Sequence, residues 1–227
     1  MSTTATGVAE KANLRFFETT VGKKAVMAVS GVILFGFVVG HLAGNLQIYE
    51  GQQKIDDYAR FLRSVPALLW GARITLLVMV ILHIWSAIQL AMAKNKARPV
   101  GYVRKKNVQA SYASRTMYWS GPIIACFVIY HLMQFTFGVG GTPYQDGHVY
   151  ANLVQGFQVI PVSAFYILAM LLLGLHLNHG LWSLFQSLGF HHPKYTPIIR
   201  RLATAISVLI VAGNISIPIS VLAGWVK

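Results

Sequence analysis

Charge is scarce in this chain, and acidic charge most of all. Charged residues make up 11% of the 227, with 6 Asp and Glu against 19 Lys and Arg. So little charge falls outside the composition of soluble globular domains. Cysteine is almost missing. The single Cys126 excludes an internal disulfide framework and any cysteine-ligated iron–sulfur cluster on this chain. The segment Met1 to Thr20 is polar and of mixed charge, without the short apolar core and small-residue cleavage site of a signal peptide. No repeat, linker or low-complexity tract interrupts the chain, so residues 1–227 read as one domain with a short N-terminal segment, 1–22.

What is present is apolar. Hydrophobic residues make up 55% of the chain, and the mean hydropathy is +0.55. Five runs, about 25–48, 66–93, 116–139, 160–187 and 202–226, are long enough to cross a bilayer. Helix is the expected state, because a helix satisfies its own backbone in lipid. The expected fold class is therefore an all-α membrane protein of five transmembrane helices. Gly36, Gly40, Gly44, Pro122 and Pro218 fall inside these runs, as membrane helices tolerate. The Gly36, Gly40, Gly44 row suits close approach of either another helix or a flat cofactor.

The net charge of +13 would suit nucleic acid in another setting. In an apolar chain, basic loops set topology and contact anionic headgroups, so membrane lipid is the expected partner. Lys94, Lys96, Arg98, Arg104, Lys105, Lys106 and Arg115 lie between spans two and three, with no acid among them. Lys194, Arg200 and Arg201 lie between spans four and five, and Lys11, Arg15, Lys23 and Lys24 near the N-terminus. The loop at 140–159 holds Asp146 and no Lys or Arg. The positive-inside rule then predicts a cytoplasmic N-terminus and an outer C-terminus.

Four of the spans each carry one deep histidine: His41, His83, His131 and His176. An ionisable side chain at such depth marks a functional site. Spans one and three run outward, two and four inward. His41 and His131 each lie about 15–17 residues past the start of their span, roughly 25 Å along at ~1.5 Å per residue, in the outer half of the bilayer. His83 and His176 lie similarly far along inward-running spans, in the inner half. The four sort into an outer and an inner pair. Neutral imidazole is a common metal ligand, and six-coordinate haem iron takes one axial group on each face. The pattern predicts two bis-histidine haems in a bundle of helices one to four, with the fifth helix peripheral. The competing explanation is four core histidines hydrogen-bonded between helices.

The other candidates are weaker. His179 lies three residues past His176, on nearly the same face, and is a rival ligand or a hydrogen-bond donor to a propionate or quinone. His148, His191 and His192 fall in expected loops. Arg73 is the one arginine well inside a span; its charge fits either snorkelling to outer headgroups or a propionate of the outer haem.

Several segments resemble the cytochrome b membrane-anchor subunit of succinate dehydrogenase and fumarate reductase, of the single-chain, five-helix, dihaem bacterial type. They are Gly22-Lys23-Lys24, Met27-Ala28-Val29-Ser30-Gly31, and Gly40-His41-Leu42-Ala43-Gly44-Asn45-Leu46. Tyr58-Ala59, Phe61-Leu62, His83 with Trp85, Tyr130-His131 and the run His176 to Ser183 follow in order. The resemblance covers almost the whole chain. It implies two haem b groups, the distal held by His41 and His131 and the proximal by His83 and His176. In this family the helix-four ligand precedes the Gly-Leu-Trp motif by four residues, which selects His176 over His179. It further implies a flavoprotein and an iron–sulfur subunit docked on the cytoplasmic face of a bacterial inner membrane. Quinone, expected to be menaquinone, would be the electron partner, and the dicarboxylate chemistry would occur on the other subunits. A higher oligomer of that heterotrimer stays open.

One position departs from the pattern. Some members carry a glutamate two residues before the helix-four ligand, linked to proton transfer; here that position is Gly174. No Asp or Glu lies inside any span. Quinone protonation would then use loops, water or propionates, with Glu50, Asp56 and Asp57 of the first outer loop as candidates. Two other readings remain: a dihaem cytochrome b of a hydrogenase, formate dehydrogenase or nitrate reductase, and a haem-free transporter with histidines along a proton path.

Overall fold

In a computed structural model, which describes residues 16–97, 100 and 110–227, the chain forms seven α-helices and, among the described residues, no strand. They are α1 (Thr20–Asn45), α2 (Gln52–Ser64), α3 (Pro66–Ala97), α4 (Tyr112–Phe135), α5 (Val149–Gln158), α6 (Ile160–Ser187) and α7 (Thr196–Leu222). Five of them, α1, α3, α4, α6 and α7, are long and apolar enough to cross a membrane, which is the architecture of a multi-pass membrane protein. Lys11, Arg15, Arg98, Arg104, Lys105 and Lys106, used above for orientation, lie outside the described residues.

Local chemistry explains where the helices start and stop. Thr19 has extended backbone and its hydroxyl accepts from Gly22 N at 2.9 Å, capping α1. A Cβ at Gly22 would lie 1.9 Å from the Phe16 carbonyl oxygen, so only glycine allows the turn that precedes α1. Gly51 has φ of +101°, a conformation that favours glycine, and it separates the 3₁₀ turn Leu46–Glu50 from α2. Pro66 opens α3, where its missing N–H costs nothing, and the residue before it, Val65, is pushed out of helical geometry. Ser111 caps α4 through Ser114 N at 3.1 Å.

The buried faces repeat at helical spacing: Ala113, Thr116, Ser120, Phe127 and Gln134 on α4, and Ala203, Ser207, Ile210, Ile217 and Val221 on α7. Most other apolar side chains on the spans are exposed, as lipid contact requires. α1 packs chiefly on α3, and α6 on both α4 and α7. The fifth spanning helix, expected to be peripheral, packs closely on α6 and reaches α1. A Cβ at Gly174 of α6 would lie 2.5 Å from Val211 Cγ2 of α7, and one at Gly213 would lie 3.0 Å from Leu42 Cδ2 of α1.

Two helices that the apolar pattern did not reveal, α2 and α5, lie together at one end of the bundle, here called the capped end. Both are short and partly polar. Asp56 of α2 is buried and accepts from Tyr150 N in the first turn of α5 at 2.9 Å. A carboxylate there also complements the positive end of the α5 dipole. Arg63 pairs with Asp146 at 2.8 Å, which holds the Asp146 carboxyl below its usual range and ties α2 to the preceding loop. Asp56→Ala should therefore loosen the α2–α5 clasp by about 2 kcal/mol, the scale of a hydrogen bond to a charged acceptor. The readout is faster amide exchange across 149–158 with little change in α6. Unchanged protection there would show that the clasp rests on apolar packing alone.

Candidate functional site

The four deep histidines meet two by two. His41 of α1 and His131 of α4 have ring centroids 5.7 Å apart with planes at 87°. His83 of α3 and His176 of α6 have centroids 6.2 Å apart with planes at 54°. His41 lies one turn before the end of α1 and His131 one turn before the end of α4. His83 and His176 lie between about four and five turns past the starts of α3 and α6 at the capped end. The couples therefore occupy two levels, roughly 15–20 Å apart along the bundle at ~1.5 Å rise per residue.

In each couple one ring nitrogen faces a hydroxyl. Ser30 Oγ donates to Val26 O at 2.7 Å, so its oxygen is free to accept from His83 Nδ1 at 3.2 Å. Gly31, next in the chain, leaves room for that ring: a Cβ there would only reach van der Waals contact, 3.5 Å from His83 Cε1. Tyr166 OH donates to Gln134 Oε1 at 2.8 Å, and its oxygen faces His131 Nδ1 at 3.3 Å. With the hydroxyl protons placed this way, one imidazole of each couple carries its proton on Nδ1 and keeps the Nε2 lone pair available. Such outer partners are what orient a metal-ligating histidine. His176 Nδ1 and His179 Nδ1 are buried without a hydrogen-bond partner.

The levels differ in their walls. The couple nearer the capped end is lined by aromatics. Phe37 stacks on His41 at 5.2 Å, Phe127 and Phe135 lie 5.9 and 5.6 Å from His131, and Tyr166 meets Phe127 and Phe157 edge-on. The deeper couple has Ser30 and Gly31 beside His83 instead.

The spacing of the rings suits a metal ion gripped from both sides. Two imidazoles, each roughly 2 Å from a central metal through one nitrogen, have ring centroids roughly 6 Å apart. Among the described residues no group of three or more His, Cys, Asp or Glu gathers as a metal site.

The remaining candidates are distributed as follows. His179 sits one turn past His176 and meets Trp182 edge-on at 6.0 Å. Arg73 is exposed and lies over the Trp70 ring at 5.2 Å, one turn away on its own helix. Glu50 pairs with exposed Lys54 at 3.8 Å, and Asp57 pairs with Arg60. Asp56 is engaged by α5, yet it also lines an open cleft of about 520 Å³ with Gln52, Gln53, Arg60, Gly147 and His148. Gly44 is pressed by Tyr58 of α2, whose Cε1 would lie 2.8 Å from an added Cβ, whereas Gly36 and Gly40 have nothing within 4 Å. His191 and His192 lie between α6 and α7, exposed, and His148 directly precedes α5.

Sequence reading missed Tyr166, Gln134 and the serine partner role of Ser30. Periodicity could flag Gln134 as a polar residue inside an apolar run, but only the fold shows what it meets. No family model, curated protein or solved structure matches the chain.

Proposed function

We propose that this chain is the dihaem cytochrome b membrane anchor of a succinate:quinone oxidoreductase, passing electrons between an iron–sulfur subunit and a membrane quinone, with menaquinone the expected one. The observation that carries the reading is the meeting of four deep histidines as two facing couples at two levels. Sequence order and spacing of the family-like segments supply the rest.

His41 and His131 would hold the haem nearer the capped end, and His83 and His176 the deeper one. When bound, haem supplies a one-electron iron couple at each level. The chain's own groups do the remainder. Ser30 and Tyr166 would accept from Nδ1–H of His83 and His131, leaving each an unprotonated Nε2 for the iron. Apolar and aromatic side chains keep water from the rings, which together with hydrogen bonding sets the potentials. The basic loops orient the capped end to the outside and leave the opposite end for the iron–sulfur and flavoprotein subunits. The cleft between α2 and α5 offers amide, guanidinium and imidazole groups to a quinone head at the capped end. Arg73, resting on Trp70, is read as a snorkelling cation rather than a propionate partner.

Succinate added to membranes containing the chain and its partner subunits should reduce a b-type cytochrome and a menaquinone analogue, and deletion of the chain should abolish both. Reduction by hydrogen or formate but not by succinate would favour the cytochrome b of another oxidoreductase. Absence of any b-type signal would favour the haem-free transporter.

A further inference from the structure

We propose that Tyr166, braced by Gln134, is a positioning residue that lowers the reduction potential of the haem held at the capped-end couple; this rests on the dihaem reading above. A tyrosine hydroxyl has one proton, and Tyr166 gives it to Gln134 Oε1 at 2.8 Å. Its oxygen can then only accept from His131 Nδ1, 3.3 Å away. On its other side Gln134 Nε2 donates to Thr142 Oγ1 at 3.2 Å. A neutral His131 that binds a metal through Nε2 carries its proton on Nδ1, and that sets the direction of the chain His131, Tyr166, Gln134, Thr142.

The surroundings are built to hold it. Gln134 is 1% exposed and Tyr166 6% exposed, so water does not compete. Two glycines let the backbone close over the amide. A Cβ on Gly140 would lie 2.6 Å from Gln134 Cα and Cβ, and one on Gly156 of α5 would lie 2.8 Å from Gln134 Nε2. Phe127 and Phe157 hold the tyrosine ring edge-on at 4.9 and 5.0 Å. The other member of the couple, His41, is stacked on Phe37.

The chemical consequence has a definite sign. An acceptor on Nδ1–H increases electron donation from Nε2 to a bound metal. Stronger donation favours the ferric state, and so lowers the potential. Removing the acceptor raises it.

The test is a potentiometric titration of purified wild-type and Tyr166→Phe chains, with haem content measured on the same samples. The capped-end haem is identified as the one missing from His41→Ala. Tyr166→Phe should keep both haems, raise the midpoint potential of that one and leave the other in place. Because phenylalanine strands Gln134 Oε1, the double variant Tyr166→Phe with Gln134→Leu is measured too, and should show the same selective rise. Two bound haems with unchanged potentials, a fall, or an equal shift of both would overturn the inference while leaving the dihaem reading intact. A chain with no haem would overturn both.

Discussion

His83→Ala and His176→Ala should each purify with one haem per chain instead of two, while His179→Ala keeps both. The two ring centroids of the deeper couple lie 6.2 Å apart, so under the proposed function each is one half of a grip. Alanine removes the nitrogen outright, and no other imidazole stands opposite the survivor. His179 is on the same helix, one turn on, but its ring meets Trp182 rather than His83. Quantification of pyridine haemochrome against protein mass reads the result. Loss of a haem in His179→Ala, with two retained in His176→Ala, would assign the ligand to the wrong residue of α6.

Gly174→Glu should destabilise the chain severely, although the dihaem reading proposed above would allow a glutamate at this place. Residues two apart on a helix point about 200° away from each other at 3.6 residues per turn, so the face opposite His176 is the one Gly174 presents. That face meets α7, where an added Cβ would lie 2.5 Å from Val211 Cγ2. Overpacking alone costs about 1–3 kcal/mol. An unpaired carboxylate among apolar side chains adds several more unless it takes up a proton. Gly174→Ala separates the two contributions, since it brings the overpacking without the charge. Thermal unfolding in detergent should therefore rank wild type above Gly174→Ala, and Gly174→Ala well above Gly174→Glu. Equal stability of all three would mean that the α6–α7 contact yields readily.

The spans were legible in the sequence because lipid imposes a long apolar run on each, and some boundaries shifted where capping and turn chemistry intervened. α4 is expected over about 116–139 but starts at Tyr112, after the Ser111 cap, and ends at Phe135, ahead of the glycines at 138, 140 and 141. α7 begins at Thr196 rather than about 202, because Pro197 suits its first turn. The capped end was not legible. α2 and α5 are short and their stabilising contacts lie far apart in sequence, as with Asp56 and Tyr150. No pattern along the chain announces such a contact. The same holds for the site. Depth along each span was enough to sort four histidines into two levels, because rise per residue is fixed. The hydroxyls beside them, Ser30 and Tyr166, depend on how α1 lies on α3 and α4 on α6. Gly174 shows a converse limit. A family pattern suggested a role for its position, while only the packing of α7 shows which face it is on.

The haem content of the purified wild-type chain tests the central claim most directly. Two b-type haems per chain, with the low-spin spectrum of iron held by two imidazoles, is the predicted result. A colourless protein that stays colourless when haem is supplied during synthesis would contradict it, and the paired rings would then be no more than hydrogen-bonded core histidines.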